Sequence, residues 1–308
     1  IEIIRSPIAA VDGQGASGTV NIILKNQSTG QALELGLGGG YLEGNGWLGD
    51  TTLAWRKPFG PLAVSVLGGL QRQRRNESKT TLSFTSADIA NAGVIEQNER
   101  QFDQINIAPA FALEVGPSDT LRFEPSYLRT REDRDEIQTD LMANQIAVRR
   151  RETEQRIRVR QNYAAFGAWD HSFGGDSIAT LSFDYQSADE DTVRDATRTT
   201  AAGVVDRTRQ RTEDVALERI NPALALAVIA GVHSLRAGAD YNRSSRDESN
   251  SDQQNGVARP PNASRTYLVT EKRANGFVQD VWSLTDQARV TVGVRVEQSS
   301  TSTRDAFG

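Results

Sequence analysis

The sequence predicts an all-β protein, an antiparallel transmembrane β-barrel, and three observations support that fold class. Apolar and polar residues alternate with a period of two from one end of the 308-residue chain to the other. Tight turn signals recur at nearly even intervals, and long charged stretches lie between them. Together these patterns indicate about eleven strands, and no segment has comparable support as a helix.

The alternation gives each predicted strand one apolar and one polar face. In one example Leu181, Phe183 and Tyr185 alternate with Ser182 and Asp184. Successive side chains of a strand point to opposite faces of its sheet. A soluble β-sandwich is the competing interpretation, with strands of about five or six residues at 8–12-residue spacing. Here the alternation often runs past about ten residues and continues into polar flanks, which favours the membrane barrel.

The connections between strands are predicted to alternate in length. Short turns are expected at five positions, 54 to 59 residues apart: Pro58, Pro117, Gly175, Gly231 and Thr285. Long loops are expected near residues 73–98, 130–155, 187–213 and 243–265. In outer-membrane barrels the short turns face the periplasm and the long loops face the outside of the cell.

Aromatic residues are distributed as a membrane barrel requires, although they do not decide between the folds. Eight of them lie mostly near predicted strand ends, where a girdle at the membrane interface is expected: Trp47, Trp55, Phe59, Tyr127, Trp169, Phe173, Tyr267 and Trp282. The general preference of aromatic residues for strands predicts a similar distribution.

The composition argues against several classes of function. The net charge is −5, so a nucleic-acid partner has no electrostatic support. The absence of cysteine removes disulfides, thiolate metal sites and cysteine nucleophiles. No run of about 18 apolar residues occurs, so a membrane-spanning helix is not expected. Barrel strands need only about 9–11 residues with one apolar face.

The N-terminal residues 1–25 resemble the closing stretch of the plug domain of TonB-dependent outer-membrane receptors. The family pattern is an Ile-Glu-(Val/Ile)-(Ile/Leu)-Arg-Gly-Pro run, a glycine-rich turn and an Asn-Ile-Ile-x-Lys strand. The residues that match it are Glu2, Arg5, Pro7, Gly15, Gly18, Asn21, Ile22, Ile23 and Lys25. Ser6 departs from the usual glycine, and Val11-Asp12 replace a common Tyr-Gly, which indicates a subfamily.

A second stretch resembles a hairpin found midway round the barrels of the same family. Residues 271–282 contain the aromatic-x-Gln-Asp strand as Phe277-Val278-Gln279-Asp280, and residues 290–296 contain the Gly-x-Arg strand. The resemblance implies that residues 1–25 are the C-terminal end of a plug domain. Residues 26–308 would then be part of an outer-membrane barrel, about 11 strands of a probable 22. The odd strand count and the open sheet edges lead us to expect an incomplete barrel wall.

The resemblance also implies a function. The protein would be an active importer in the outer membrane of a Gram-negative bacterium, energised by TonB and its inner-membrane complex. Its ligand would be a scarce nutrient, with an iron–siderophore complex as the first candidate and oligosaccharide or cobalamin as alternatives. A passive porin or structural barrel remains open from another class. In the importer interpretation Glu2 and Arg5 make charged contacts inside a polar lumen, and outer-membrane lipid and lipopolysaccharide surround the wall.

The glycine-rich turn contains a motif that has to be separated from a cofactor site. Residues 13–18 read Gly-Gln-Gly-Ala-Ser-Gly, which satisfies G-x-G-x-x-G, and the acidic Glu34 follows at a suitable distance. A dinucleotide fold requires this turn to open a helix. The β-branched run Thr19-Val20-Asn21-Ile22-Ile23 follows instead and predicts a strand, so no cofactor is expected.

The remaining polar residues do not predict an enzyme or a metal site. His171 and His233 each lie beside a tight turn without a second ligand at metal-binding spacing, and no Ser/His/Asp arrangement has support. The acidic runs 132–136 and 189–191 lack the spacing of a calcium loop, so solvated charge is the favoured interpretation.

Arginine is concentrated between residues 129 and 160, where nine arginines and seven acidic residues occur. Six of them offer contacts to lipopolysaccharide phosphates or to an anionic ligand: Arg149, Arg150, Arg151, Arg156, Arg158 and Arg160. The pattern favours the simpler interpretation, a strand that extends beyond the membrane with paired charges on its solvated faces.

Overall fold

One large antiparallel sheet dominates the fold. The structure is a computed structural model, and it describes residues 2–4, 19–21, 31–43, 46–84, 90–142, 147–260, 266–285 and 287–305. Strands account for most of these residues, and none of them is helical. Within the same residues no helix is long and apolar enough to cross a membrane.

Fourteen strands are formed in the described residues. In chain order they are β1 (Glu2–Ile4), β2 (Thr19–Asn21), β3 (Ala32–Leu42), β4 (Gly46–Phe59), β5 (Leu62–Phe84), β6 (Ala90–Val115), β7 (Asp119–Leu141), β8 (Val148–Gly174), β9 (Ser177–Thr200), β10 (Val205–Ala230), β11 (His233–Gln254), β12 (Val257–Ala258), β13 (Tyr267–Ser283) and β14 (Arg289–Asp305). The long strands exceed 20 residues, which is far more than a bilayer crossing needs.

The strands of the large sheet pair in sequence order. From β3 to β11 each strand lies antiparallel to the next, and β13 and β14 continue the sheet beyond β11. The two-residue β12 adds to the end of β11. This gives eleven strands along the main path, so the predicted antiparallel wall of about eleven strands is confirmed. β1 and β2 form a separate two-stranded sheet.

Five short turns join the strands at one end of the sheet; four contain the predicted residue, and the first lies at residues 60–61, two residues after Pro58. Two residues separate β4 from β5, β8 from β9 and β10 from β11, three separate β6 from β7, and five separate β13 from β14. Gly60 and Gly231 have φ of 62° and 60°. A positive φ is inexpensive only for glycine among common residues, so these glycines permit the chain to reverse tightly.

The opposite ends of the hairpins differ from the expected long loops. Most of the residues near 73–98, 130–155, 187–213 and 243–265 belong to strands that continue in register. The turn from β9 to β10 spans only residues 201–204. These stretches lack an apolar face, but their strands are stabilised in water by backbone hydrogen bonds to the neighbouring strands and by cross-strand ion pairs. A highly charged stretch is therefore compatible with a solvated strand and does not by itself indicate a loop.

The sheet has two faces of opposite character, which the register defines. On five consecutive strands, β7 to β11, one row on the outer face runs across Leu121, Trp169, Leu181, Leu224 and Ala239. The row beside it on the inner face runs across Arg122, Ala168, Ser182, Ala223 and Asp240. Near the short turns the outer face is apolar and the inner face is polar.

Burial shows that the inner face is the crowded one. Leu37 on the outer face is 77% exposed, whereas Gln279 on the inner face is 3% exposed. The five buried polar residues in the described part of the chain all lie on the inner face: Thr192, Asn242, Glu248, Asn275 and Gln279. A single curved sheet crowds the side chains of its concave face and spreads those of its convex face. We infer that the polar face is concave, as in the wall of a barrel.

A glycine pair tests this curvature. A Cβ added at Gly238 on the inner face would lie 2.6 Å from the Phe277 ring and 3.0 Å from the Leu224 carbonyl oxygen. At Gly276 on the outer face the nearest atom is a backbone oxygen 3.9 Å away. We expect Gly238→Val to destabilise the folded barrel by about 1–3 kcal/mol through overpacking.

The measurement is the temperature at which the folded, fast-migrating band is lost on detergent gels, with Gly276→Val as the matched control. The control is expected to stay close to wild type. Equal loss of stability in both variants would contradict the assignment of the two faces.

Candidate functional site: the polar inner face

Aromatic rings mark a band of membrane height on the outer face. Trp169 and Phe173 lie beside the short turn of β8, and Tyr163 contacts Tyr127 of β7 with ring centroids 4.9 Å apart. Phe173 and Tyr163 are ten residues apart on β8. That spacing is about 33 Å along a strand and roughly 25 Å along the membrane normal at a tilt near 40°, which equals the usual apolar band.

Of the eight aromatic residues named from the sequence, Tyr267 does not belong to this band. Tyr267 lies on the inner face at the far end of β13, and its hydroxyl donates a hydrogen bond to the Glu248 carboxylate (2.9 Å). A strand-end position therefore did not suffice to assign Tyr267 to the girdle, because the face of the strand also decides what its side chain contacts.

At the height of the apolar band the inner face carries paired polar side chains. Arg122 donates to Asp170 (2.8 Å), and Thr180 donates to the other oxygen of the same carboxylate (2.6 Å). Asn275 donates to Asp240 (2.8 Å). These groups lie on β7, β8, β9, β11 and β13, so hydrogen bonds cross-link the wall on the side away from the outer apolar surface.

Some inner-face polar groups have no partner within the described residues. The buried side-chain oxygens of Asn221, Asn275 and Gln279 accept no hydrogen bond there. An unpaired buried acceptor costs about 1–3 kcal/mol, so such groups are ordinarily satisfied by water or by another part of a protein. This part of the wall is therefore suited to contact with hydrogen-bond donors in the lumen.

Beyond the apolar band the inner face carries a continuous row of arginines, which we call the arginine row. Its members stand directly opposite one another on six consecutive strands, β5 to β10: Arg75, Arg100, Arg134, Arg156, Arg194 and Arg211. On β11 the next position is Asp252. The sequence singled out Arg156 but did not link it to its neighbours, because register across six strands is not a local property.

The six arginines named from the sequence divide between the two faces. Arg150, Arg156, Arg158 and Arg160 share the inner face of β8, Arg151 lies on the outer face, and Arg149 lies at a bulge in the pairing of β8 with β7. Arg150 pairs with Asp140, and on the outer face of β7 Arg131 pairs with Asp133. Residues 129–142 and 147–160 are mostly strand and carry cross-strand ion pairs, as the simpler interpretation of this region predicts.

The hairpin tip formed by β11 and β12, beside the start of β10, holds a carboxylate shared by three arginines. Asp252 accepts two hydrogen bonds from Arg209 (2.9 and 2.6 Å), and Arg211 and Arg259 lie 3.8 and 3.6 Å away. The Arg209 hydrogen bonds lower the pKa of Asp252 from its ordinary value, and partial burial opposes them less strongly. The tip turns at Asn255-Gly256, both with positive φ, which is the signature of a type I′ hairpin.

Both histidines have carboxylate partners that the sequence did not reveal. His171 Nδ1 lies 2.9 Å from Asp119, which also accepts a hydrogen bond from Trp169 (2.8 Å). His233 Nδ1 lies 2.7 Å from Asp280. The partners are 52 and 47 residues away in the chain, so only strand register brings them together. Both pairs lie on the outer face beside aromatic rings and short turns.

The two acidic runs do not converge on one point. Glu132 and Glu190 lie on the inner face and contact arginines, whereas Asp133 and Asp191 lie on the outer face. The alternation of a strand separates consecutive carboxylates, so neighbours in sequence cannot surround one cation. Within the described part of the chain no group of three or more His, Asp or Glu residues could hold a metal ion.

The predicted plug motif is described only in part. Glu2 and Asn21 stand opposite each other where β1 pairs with β2. Arg5, Pro7, Gly15, Gly18, Ile22, Ile23 and Lys25 lie outside the described residues, as does the G-x-G-x-x-G segment. The division between residues 1–25 and 26–308 stays a prediction.

The comparison with protein families agrees with the two-faced wall. The family described as TonB dependent receptor-like, beta-barrel matches residues 98–308. The chain belongs to this family. Barrels of TonB-dependent receptors lie in the outer membrane and take part in transport, and they are not enzymes. No curated protein is similar enough to this receptor barrel to count as a relative.

The Asp252 cluster makes the receptor's hairpin tip sensitive to acid. Because folding lowers the pKa of Asp252, its ion pairs stabilise the tip fully above the ordinary value of 3.8. That stability is lost as the pH falls through the lower pKa of the folded state. We expect Asp252→Asn to reduce amide protection at residues 205–210 and 250–258 at pH 6, as measured by hydrogen–deuterium exchange.

The gap between wild type and Asp252→Asn is expected to narrow steadily below pH 3.8. Exchange is compared at each pH after correction for the intrinsic rate, with the membrane-level residues 177–186 as internal reference. A gap that stays constant from pH 6 to pH 2.5 would contradict an ionised Asp252 in the folded tip.

Proposed function

We propose that this barrel is the wall of an active importer in the outer membrane of a Gram-negative bacterium. A scarce nutrient binds from outside, and TonB with its inner-membrane complex drives its passage by displacing a plug. An iron–siderophore complex is the first candidate cargo. Membership of the TonB-dependent receptor family is the observation that carries the proposal.

The inner face supports this proposal in chemical terms. A wall with ion pairs such as Arg122–Asp170 and unpaired acceptors such as Gln279 offers hydrogen bonds to a polar occupant of the lumen. A plug that is displaced reversibly needs contacts of this kind, because polar groups can exchange a protein partner for water at little net free energy. An apolar wall would hold a plug by burial alone.

The motif in residues 1–25 supplies suitable groups for such a plug. Glu2 and Arg5 provide one charge of each sign within a short stretch. In the proposed function they form charge-assisted hydrogen bonds with the inner face, which are stronger than neutral ones. Their role is in gating and not in recognition of the cargo.

A passive porin or a structural barrel is the competing function. It would use the same outer face, since the lipid imposes the same requirement on every barrel. The two functions differ in whether uptake requires energy. An importer that handles oligosaccharide or cobalamin would differ from the siderophore proposal in cargo only.

Uptake in cells provides the test. We expect Arg5→Ala to reduce uptake of a ferric siderophore at least about tenfold, through loss of a charge-assisted contact, while surface binding stays at the wild-type level. Deletion of TonB is expected to abolish uptake and to leave binding intact. The matched control is Arg151→Ala, on the outer face of β8 beyond the apolar band. Uptake that is unchanged without TonB would identify a passive barrel, and unchanged uptake by Arg5→Ala would remove Arg5 from the gate.

A further inference from the structure

The arginine row is the least expected feature of the inner face. Arg156 lies seven residues beyond Tyr163 on β8. This is about 23 Å along the strand and roughly 18 Å above the upper aromatic ring at a tilt near 40°. The row therefore lies outside the apolar band, at the level of the solvated hairpins, and faces the axis of the wall.

The six arginines face one another across neighbouring strands, and their mutual repulsion destabilises the sheet. Like charges directly opposite each other on neighbouring strands are destabilising, and adjacent strands are only about 4.8 Å apart. Burial adds to this cost at the centre of the row, where the Arg156 side chain is 12% exposed. Burial and the neighbouring Arg134 both lower the pKa of Arg156.

Arg75 and Arg134 pair with Glu77 and Glu136 on their own strands, whereas two other carboxylates near the row are each shared by three arginines. Glu132 is shared by Arg100 (3.2 Å), Arg156 (3.5 Å) and Arg158 (3.9 Å). At the other end Asp252 is shared by Arg211, Arg209 and Arg259. Arg134 pairs with Glu136 and Arg158 also pairs with Glu190, so in the described residues the shortage of carboxylate falls on Arg100 and Arg156.

Hydrogen-bond donors in this cluster also lack acceptors. Arg158 Nε lies 3.3 Å from Glu190, but the Nε atoms of Arg156 and Arg194 are buried and have no hydrogen-bond partner in the described residues. Their ion pairs are long, since Arg194 lies 3.9 Å from Glu213 and Arg156 lies 3.5 Å from Glu132. A buried guanidinium with an idle donor is costly, and an added anion with several oxygens would satisfy it.

We propose that the arginine row binds a multivalent anion, a ligand that carries two or more carboxylate or phosphate groups. Arg134, Arg156 and Arg194 form the centre of the site on β7, β8 and β9. Guanidinium groups on neighbouring strands match oxyanions about 5 Å apart. The role of this site in transport rests on the proposed function. The site adds to that function because it predicts that the ligand that enters from outside is negatively charged.

The face on which the row lies distinguishes between a soluble anion and lipopolysaccharide as the ligand. Lipopolysaccharide surrounds a barrel and meets its outer face. The arginine row lies on the opposite face, where Arg158 and Glu132 also lie. On the outer face the corresponding level carries Asp133 and Asp195 beside Arg131. A soluble anion inside the wall therefore fits the row better than a lipid phosphate.

Binding is tested by calorimetry on the intact chain in detergent, with citrate and inorganic pyrophosphate as probes. We expect saturable binding of at least one probe in 150 mM salt. Replacing two central arginines, Arg156→Gln with Arg194→Gln, is expected to weaken binding at least about tenfold. Citrate and pyrophosphate distinguish carboxylate from phosphate chemistry.

Two further variants separate recognition from charge and from folding. Arg151→Gln makes the same charge change on the outer face of β8 and is expected to change affinity less than about twofold, since exposed distant charges are screened. Arg156→Lys keeps the charge, loses the forked donor and is expected to weaken binding partially. Each variant is first checked for the folded, fast-migrating gel band.

Several outcomes would overturn the anion site. One is that neither citrate nor pyrophosphate binds at 1 mM. Another is that Arg151→Gln weakens anion binding as much as the double substitution of Arg156 and Arg194. Binding of detergent-dispersed lipopolysaccharide that depends on Arg156 and Arg194 while both small probes fail would also overturn it. If the wild-type chain binds neither anion but takes up siderophore in a TonB-dependent way, the anion site is rejected and the proposed import function is retained. If the chain binds an anion but uptake does not require TonB, the anion site is retained and the proposed energised import is rejected.

Discussion

The backbone hydrogen bonds of the sheet are the constraint on which the rest of this structure depends. In hydrocarbon no water is present to pair with a free N–H or C=O, so each strand has to be paired along its whole length. Eleven strands in sequence order meet that requirement for one another. Among the described residues β3 and β14 are each paired on one side only, so both edges need a further strand within a bilayer.

The same pairing decides what every side chain can do. A residue on a paired strand has no choice of face, because its parity along the strand fixes it. Trp169 and Asp170 are neighbours in sequence, yet one joins the aromatic surface and the other an ion pair with Arg122. The long hairpins carry this order beyond the membrane, and there it aligns charges in place of apolar groups. The arginine row is a product of register as much as of composition.

Much of the fold could be predicted from the sequence because its signals are local. The alternation around Leu181 fixes a strand and its two faces, and glycines such as Gly231 fix turns through their positive φ. The polar hairpins were harder, since a run such as 187–213 has the composition of a loop. They form strands because cross-strand ion pairs and solvent replace the apolar face.

The candidate site could be predicted only in part, because its residues meet through long-range register. Arg156 was singled out from its run of charges, but its alignment with Arg134 and Arg194 depends on pairing between strands far apart in sequence. His171 and Asp119 illustrate the same limit at a distance of 52 residues. The acidic run at Glu132 shows the converse effect of register, since residues that are adjacent in sequence lie on opposite faces of the sheet.

One face of the wall is expected to meet lipid, and the other is expected to meet the aqueous lumen. The chain has no cysteine, so Ala164→Cys and Ala165→Cys each introduce a single site for a nitroxide spin label on adjacent residues of β8. In lipid vesicles the label at position 165 should be more accessible to oxygen, and the label at 164 to a water-soluble nickel complex. Equal accessibility at the two positions, or the reversed order, would contradict the account.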